Sequence, residues 1–231
     1  MGQAIQFDES LKFDRDLLRI FDGLETADGV FKPNAGSFAL AECVRGLSGS
    51  FLDLGTGTGF VSIVISKTAG AILATDCSRN AVRCAERNFE RFGVHAQVRT
   101  SDMFDRITET FDYIAFSPPV HVHETELDRW CKNRLKRLLP TTFNDFTSAI
   151  ARPIFKYSIR PVIKTFYREA SRHLNPGGVM FVNTLSSDIR WLSDWIAGEA
   201  RLTLCRHSAQ FCIVAIAPLG QSPEGSRPCH S

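Results

Sequence analysis

Residues 51–59 constrain the fold of this chain more than any other stretch. Their sequence is Phe-Leu-Asp-Leu-Gly-Thr-Gly-Thr-Gly, an apolar run that ends in three glycines alternating with threonines. A helical pattern of apolar residues follows from Val61 to Ile65. Glycine permits positive φ angles and lets a ligand approach the backbone, and the first turn of a helix has unpaired N–H groups. The segment therefore predicts a strand, a tight turn and a helix that bind a nucleotide-like ligand.

The rest of the chain continues this alternation of short apolar runs and helical periods. Strands are predicted at 50–54, 71–75, 95–100, 111–116, 178–184, 201–207 and 210–217. Helices are predicted at 9–22, 35–47, 59–68, 79–92, 160–174 and 188–198. This order predicts an α/β fold, a Rossmann-like seven-stranded and mostly parallel sheet with helices on both faces. Only Ser208 and Ala209 separate the last two strands, which favours a hairpin and an antiparallel last strand.

The chain divides into three predicted parts. Residues 1–48 form an N-terminal helical segment that covers the site, and residues 49–218 form the α/β domain. A pair of helices is predicted as an insertion at about 121–159, after the fourth strand. Residues 219–231 are rich in Pro, Ser and Gly and are predicted to form a flexible tail.

Composition limits the functional classes. No apolar run reaches the length of a membrane span, and the N-terminus lacks the basic-then-apolar order of a signal peptide. The seven cysteines are scattered without the paired spacing of a metal site. An odd number of scattered cysteines favours reduced thiols in a cytoplasmic protein without a membrane span.

Positive charge is concentrated between Arg129 and Arg172. This segment holds eleven Lys and Arg residues against Asp145 and Glu169, a net charge of +9, whereas the whole chain carries +2. Such a basic insert can attract an anionic substrate or RNA. A solvated helical face is the alternative interpretation.

The spacing of the glycines separates two kinds of nucleotide-like ligand. The dinucleotide pattern Gly-x-Gly-x-x-Gly would place its third glycine at position 60, which is Phe. The observed Asp53-x-Gly55-x-Gly57-x-Gly59 instead resembles the first motif of class I S-adenosylmethionine (SAM) methyltransferases. The resemblance implies that the three glycines pass under the cofactor and that Asp53 meets its amino-acid portion, directly or through water.

Two more acidic residues stand at the distances that this family uses. Asp76 ends the second predicted strand, where an acidic residue can accept hydrogen bonds from both ribose hydroxyls. Asp102 follows the third strand, where the family places a contact to the adenine amino group, and Met103 or Phe104 can cover the ring. A single aspartate after a strand is usually a helix cap or a turn former. Together with the glycines, the two aspartates predict SAM as the cofactor.

A second motif, Ser117-Pro118-Pro119, follows the fourth predicted strand. Two prolines fix the backbone and remove N–H donors, so the carbonyls there can only accept hydrogen bonds. The motif resembles the fourth motif of amino-group methyltransferases, in which the polar side chain and a proline carbonyl accept hydrogen bonds from the target nitrogen. The resemblance implies catalysis by positioning for in-line transfer. Val120 replaces the aromatic residue that stacks on a planar substrate in that family.

His121 comes directly after this motif. A histidine there can act as a base or hold a polar substrate. A histidine in a surface loop is the alternative interpretation. His121 and His123 have the spacing of metal ligands, but no third ligand is evident and no metal is predicted.

Residues 29–37 resemble the segment that precedes the first motif in the small-domain methyltransferases. This group includes release-factor glutamine and RNA amino-group N-methyltransferases, in which the segment lines the mouth of the site. The resemblance implies an enzyme that transfers methyl to a nitrogen of a small molecule or protein side chain. An RNA or DNA base N-methyltransferase and a non-catalytic SAM-binding partner subunit are the alternatives.

Overall fold

The computed structural model describes residues 14–118 and 159–219 of the chain. Its strands are β1 (Ser50–Leu54), β2 (Ala71–Asp76), β3 (Gln97–Thr100), β4 (Phe111–Phe116), β5 (Leu174–Leu185), β6 (Ala200–His207) and β7 (Phe211–Pro218). Its α-helices are α1 (Arg15–Gly23), α2 (Ala35–Val44), α3 (Phe60–Ile65), α4 (Arg79–Phe92), α5 (Arg160–Ala170) and α6 (Ile189–Ile196). A short 3₁₀ helix covers Ser186–Asp188.

The seven strands form one sheet in the order β3-β2-β1-β4-β5-β7-β6. The first five strands are parallel, and β7 pairs antiparallel with both β5 and β6. Ser208 closes the last hairpin, since its N–H donates to the Phe211 carbonyl at 2.9 Å. The predicted fold class is therefore confirmed, including the antiparallel ending.

Two apolar clusters cover the two faces of the sheet. Helices α1 to α4 pack on one face, where Phe38 and Phe60 place their ring centroids 4.8 Å apart. Helices α5 and α6 pack on the other face, where Phe166 stacks on Phe116 at 4.9 Å. Adjacent residues of a strand point to opposite faces, so both faces of the central strands are apolar and buried.

The start of β5 differs from the prediction. The predicted helix 160–174 ends at Ala170, and the strand begins at Leu174 instead of Gly178. Asn175 donates from Nδ2 to Asp112 Oδ1 at 2.9 Å, and the register with β4 shifts at this point. This side-chain hydrogen bond spans the irregularity and holds residues 174–178 beside β4. The Pro and Gly residues of this segment did not predict such a contact.

Several predicted parts lie outside the described residues. They are residues 1–13, the predicted insertion apart from Ile159, and residues 220–231. The boundaries of the three parts and the cytoplasmic location stay predictions. Within residues 14–118 and 159–219, no helix is long and apolar enough to cross a membrane.

Candidate functional site

The candidate site lies at the carboxyl ends of the central strands. Strand β1 lies between β2 and β4, so the strand order changes direction there. Ligands of open α/β sheets bind in the crevice that such a change creates. The predicted Asp53, Asp76 and Ser117 all lie at this edge, at the ends of β1, β2 and β4.

The glycine turn has the backbone that only glycine adopts readily. The φ angles of Gly55, Gly57 and Gly59 are 71°, 55° and 83°. A Cβ placed on Gly55 would have no atom nearer than the Phe116 ring at 3.7 Å, so the turn is open on that side. A Cβ on Gly59 would stand 2.5 Å from the Phe89 ring, so the turn is closed there by α4.

Asp53 holds the glycine turn in place through hydrogen bonds. Its Oδ2 accepts hydrogen bonds from Thr56 Oγ1 at 2.7 Å, Ser62 Oγ at 2.6 Å and Ser62 N at 3.2 Å. Burial raises the pKa of this carboxyl, while the Ser62 and Thr56 hydrogen bonds act in the opposite direction. The side chain is only 4% exposed, so its visible role is to hold the turn and the start of α3 together.

Asp76 joins the turn to the second strand. Its Oδ2 accepts from Gly57 N at 3.0 Å, and its Oδ1 accepts from Ser78 N at 2.9 Å. Burial raises its pKa, and the two backbone hydrogen bonds oppose that shift. The carboxylate is thereby fixed beside the open part of the glycine turn.

The backbone donors of the turn are largely used within the protein. Thr56 N donates to the Thr75 carbonyl at 2.8 Å, and the N–H groups of Gly57 and Ser62 donate to Asp76 and Asp53. A pyrophosphate site instead needs such donors free to bind the phosphate oxygens. The geometry therefore disfavours a dinucleotide and suits an uncharged ribose with a cationic group nearby.

The segment after β3 carries Asp102 and Met103. Ser101 N donates to the Asp76 carbonyl at 3.0 Å, which brings Asp102 close to the end of β2. Met103 has a φ of 49°, a left-handed conformation that is unusual for a non-glycine residue. The Met103 and Phe104 side chains are buried in the core, and Phe104 stacks on His173 at 4.9 Å. Both side chains therefore belong to the apolar cluster on the α5 and α6 side of the sheet.

Ser117 has a partner that the sequence did not indicate. Asn183, near the end of β5, donates from Nδ2 to Ser117 Oγ at 3.2 Å. Asn183 is 1% exposed, and its Oδ1 is buried without a hydrogen-bond partner in the described structure. A Cβ on Gly36 at the start of α2 would overlap Asn183 Nδ2. Asn183 therefore packs against α2 on one side and is hydrogen-bonded to the Ser117 hydroxyl on the other.

Two other residues lie beside the glycine turn: Asn88, which was not predicted from the sequence, and Phe31 of the 29–37 segment that was predicted to line the mouth of the site. Asn88 of α4 is fully buried and donates from Nδ2 to the carbonyls of Thr58 at 2.9 Å and Glu25 at 3.0 Å. It thus ties the N-terminal segment to the glycine turn. Phe31 is 48% exposed, and its carbonyl lies 3.7 Å from a Cβ placed on Gly57. The sequence signal available for Asn88 was its position on the apolar face of the predicted helix 79–92.

Two predicted site residues, Pro119 and His121, lie outside the described residues. Pro118 is buried at the end of β4. Among residues 14–118 and 159–219, no group of three or more His, Cys, Asp or Glu side chains is placed to hold a metal ion.

Comparison with known proteins gives a consistent result. Residues 23–137, about half of the chain, match the family model of the methyltransferase small domain. A ribosomal RNA small subunit methyltransferase C of Buchnera aphidicola subsp. Cinara cedri is 31% identical over 42% of this chain and 30% of its own length. A putative protein N5-glutamine methyltransferase of Methanocaldococcus jannaschii is 38% identical over 29% of this chain and 35% of its own length. The chain thus spans about a third of each of these relatives.

A solved structure shares the fold. The T. thermophilus 16S rRNA N2 methyltransferase, determined with AdoMet and guanosine, superposes with a TM-score of 0.58 at 19% identity. The match covers 82% of this chain and 45% of that one. The family match, together with the glycine turn, Asp76 and Ser117 at one sheet edge, shows that the chain belongs to the class I SAM-dependent methyltransferases that carry the methyltransferase small domain.

Proposed function

We propose that this protein binds SAM at the glycine turn and transfers its methyl group to a nitrogen of an acceptor molecule. The observation that carries the proposal is the meeting of three features at one sheet edge. These are the open glycine turn, the Asp76 carboxylate bonded to it, and Ser117 at the end of the neighbouring strand.

The residues present suit this cofactor. Asp76 would hold the ribose hydroxyls, because a fixed carboxylate accepts two hydrogen bonds. Asp102 would meet the adenine, and Gly55 leaves room for close approach. The negative charges of Asp53 and Asp76 favour a ligand that carries a cationic sulfonium and amino group. When bound, SAM supplies an electrophilic methyl group.

Ser117 would orient the acceptor. Its hydroxyl oxygen has two lone pairs, and Asn183 Nδ2–H occupies one of them. The second lone pair can accept an N–H of the acceptor and direct the nitrogen lone pair toward the methyl group. The Pro118 carbonyl would accept a second hydrogen bond, as the resemblance implies. The rate enhancement then comes from positioning.

A small molecule or a protein side chain is the favoured acceptor, and a nucleic-acid base is the second candidate. One described surface favours the second. Trp191 and Trp195 stack in parallel with centroids 5.7 Å apart, and Arg160 and Lys164 lie over the rings at 5.0 and 5.3 Å. Aromatic and basic side chains together are typical of surfaces that bind single-stranded nucleic acid.

The test is incubation of the full chain with methyl-labelled SAM and fractionated cell extract. We expect label in one of the protein, RNA or small-molecule fractions, on a nitrogen of the product. Label in protein or in a small molecule supports the first acceptor class, and label in RNA supports the second. SAM binding without label in any fraction would favour the non-catalytic alternative.

Ser117→Ala should separate catalysis from cofactor binding. We expect methyl transfer to fall about fivefold, since one neutral hydrogen bond of ~1 kcal/mol to the acceptor is lost. The Kd for SAM should stay unchanged because Ser117 lies on the acceptor side. Ser171→Ala is the matched control. The Ser171 hydroxyl donates a hydrogen bond to the Tyr167 carbonyl at the C-terminal end of α5. Loss of SAM binding by Ser117→Ala and Pro118→Ala would show that the motif is wrongly assigned.

Gly36→Ala should act through Asn183. The new methyl group would displace the amide and break its bond to Ser117, so we expect a loss of methyl transfer of roughly threefold to tenfold. Asn183→Ala should give a similar loss, and the double variant should be no worse than Asn183→Ala alone, because the clash is gone. Rates and urea unfolding of all three variants are compared. Additive losses would contradict the coupling.

SAM affinity should depend on pH through Asp76. Ribose hydroxyls donate to the ionised carboxylate, so cofactor binding favours the deprotonated form. Because the pKa of Asp76 is raised above its ordinary value of 3.8, acidification removes the deprotonated form at a higher pH than for an ordinary aspartate. We expect constant affinity above the raised pKa and up to about tenfold weaker binding per pH unit below it. Titration calorimetry on Asp76→Asn should give a flatter profile; an unchanged profile would assign the dependence elsewhere.

A further inference from the structure

Two cysteines far apart in the chain meet on the face of the sheet away from α5 and α6. Cys43 lies in the last turn of α2, and Cys205 lies in β6, the outermost strand. Both are half-buried and both pack against the same apolar cluster, and each thiol shifts the pKa of the other. Neither is part of a disulfide.

An irregularity of β6 explains why Cys205 points toward α2. In the antiparallel pairing with β7, Leu204 pairs with Val214 and Arg206 with Ile213, which leaves Cys205 as an extra residue. Adjacent residues of a regular strand point to opposite faces, whereas a bulge changes the direction of a side chain. Here both Cys205 and Arg206 contact α2.

A second contact holds the same two elements together. Arg206 Nη2 lies 3.2 Å from Glu42 Oε2, so the residues next to both cysteines form an ion pair. The Glu42 side chain is 16% exposed, which limits its solvation and keeps this pair in place. The ion pair therefore holds α2 and β6 together beside the two cysteines.

The electrostatics make the two thiols unequal. The interaction with the Cys43 thiol lowers the pKa of Cys205 to about 7. The same interaction, together with burial, raises the pKa of Cys43. A thiolate is the attacking species in thiol–disulfide exchange, so Cys205 would react first.

We propose that Cys43 and Cys205 are a dithiol site that is oxidised to an intramolecular disulfide by a small disulfide such as oxidised glutathione. Cys205 attacks one sulfur of glutathione disulfide, which breaks that bond and releases one glutathione thiol. Cys43 then loses its proton and attacks Cys205 sulfur, releasing the second glutathione. Two protein thiols are oxidised and one disulfide is reduced to two thiols.

The product would connect α2 covalently to the edge of the sheet. Helix α2 is also the element whose Gly36 packs against Asn183. Oxidation would therefore fix the helix that borders the acceptor side of the site. The cross-link closes a long loop of chain, which constrains the unfolded state.

The test uses the full chain with Cys77→Ser, Cys131→Ser and Cys229→Ser, which leaves Cys43, Cys205 and the buried Cys84 and Cys212. After equilibration with oxidised glutathione, we expect the loss of two free thiols and a cross-linked peptide containing Cys43 and Cys205. The melting temperature should rise by roughly 5 °C and return on reduction.

Single substitutions give the order of the steps. Cys43→Ser should stop at a glutathione adduct on Cys205, and Cys205→Ser should form neither adduct nor cross-link. Cys84→Ser is the matched control and should oxidise as the parent does. A protein that keeps four free thiols, or that links a different pair, would overturn the proposal. These readouts need no methyl acceptor and are independent of the proposed methyl transfer.

Discussion

Asp76→Ala should lower the affinity for SAM by about a hundredfold or more. Each hydrogen bond from a ribose hydroxyl to the ionised carboxylate is worth ~1.5–3 kcal/mol, and 1.4 kcal/mol corresponds to tenfold in Kd. The substitution also removes the acceptor for Gly57 N, which holds the glycine turn in position. Titration calorimetry on the purified full chain measures the effect directly.

Asp22→Ala is the matched control for charge and composition, because Asp22 is an exposed aspartate in α1. It should bind SAM as the parent does. Circular dichroism and urea unfolding must show that Asp76→Ala is folded before its Kd is interpreted. A folded Asp76→Ala protein with unchanged affinity would show that the ribose assignment is wrong.

Gly59→Ala should cost about 3–5 kcal/mol of the free energy of unfolding. Two effects add at this position. A non-glycine residue at a φ of 83° is strained by ~1–2 kcal/mol, and its Cβ would stand 2.5 Å from Phe89 Cε1 in the core. Because many domains have a total stability of only about 5–15 kcal/mol, the variant should unfold at much lower urea concentration.

Gly57→Ala separates the two effects. Its φ is 55°, but the nearest atom to its Cβ is the Phe31 carbonyl oxygen at 3.7 Å, so only the strain of ~1–2 kcal/mol applies. Adding Phe89→Leu to Gly59→Ala should recover part of the lost stability by making room. Equal losses for Gly57→Ala and Gly59→Ala, or no recovery, would contradict the clash with Phe89.

The sequence predicted the elements of the fold well because their signals are local. The predicted strand 111–116 and helix 79–92 match the observed bounds, since apolar periodicity and the αL glycine cap at Gly93 act over a few residues. The beginning of β5 was predicted less well. It depends on the Asn175 contact with Asp112, which lies 63 residues earlier in the chain.

The same distinction applies to the candidate site. Asp76 was predicted because its distance from the glycine turn follows from one strand-turn-helix-strand unit. The role of the backbone donors was predicted less accurately, because the N–H groups of Gly57 and Ser62 are bound by Asp76 and Asp53. Whether a turn donor faces a ligand or a carboxylate depends on how β1, β2 and α3 pack together.

The sequence by itself predicted the glycine turn: Gly55, Gly57 and Gly59 adopt positive φ, which glycine allows because it has no Cβ. Only the tertiary structure decided what surrounds Ser117. Asn183 reaches Ser117 across 66 residues because β5 lies beside β4, and a bulge in β6 leaves Cys205 as an extra residue. Strand order and bulges arise from packing over the whole sheet, so no short stretch of sequence encodes them.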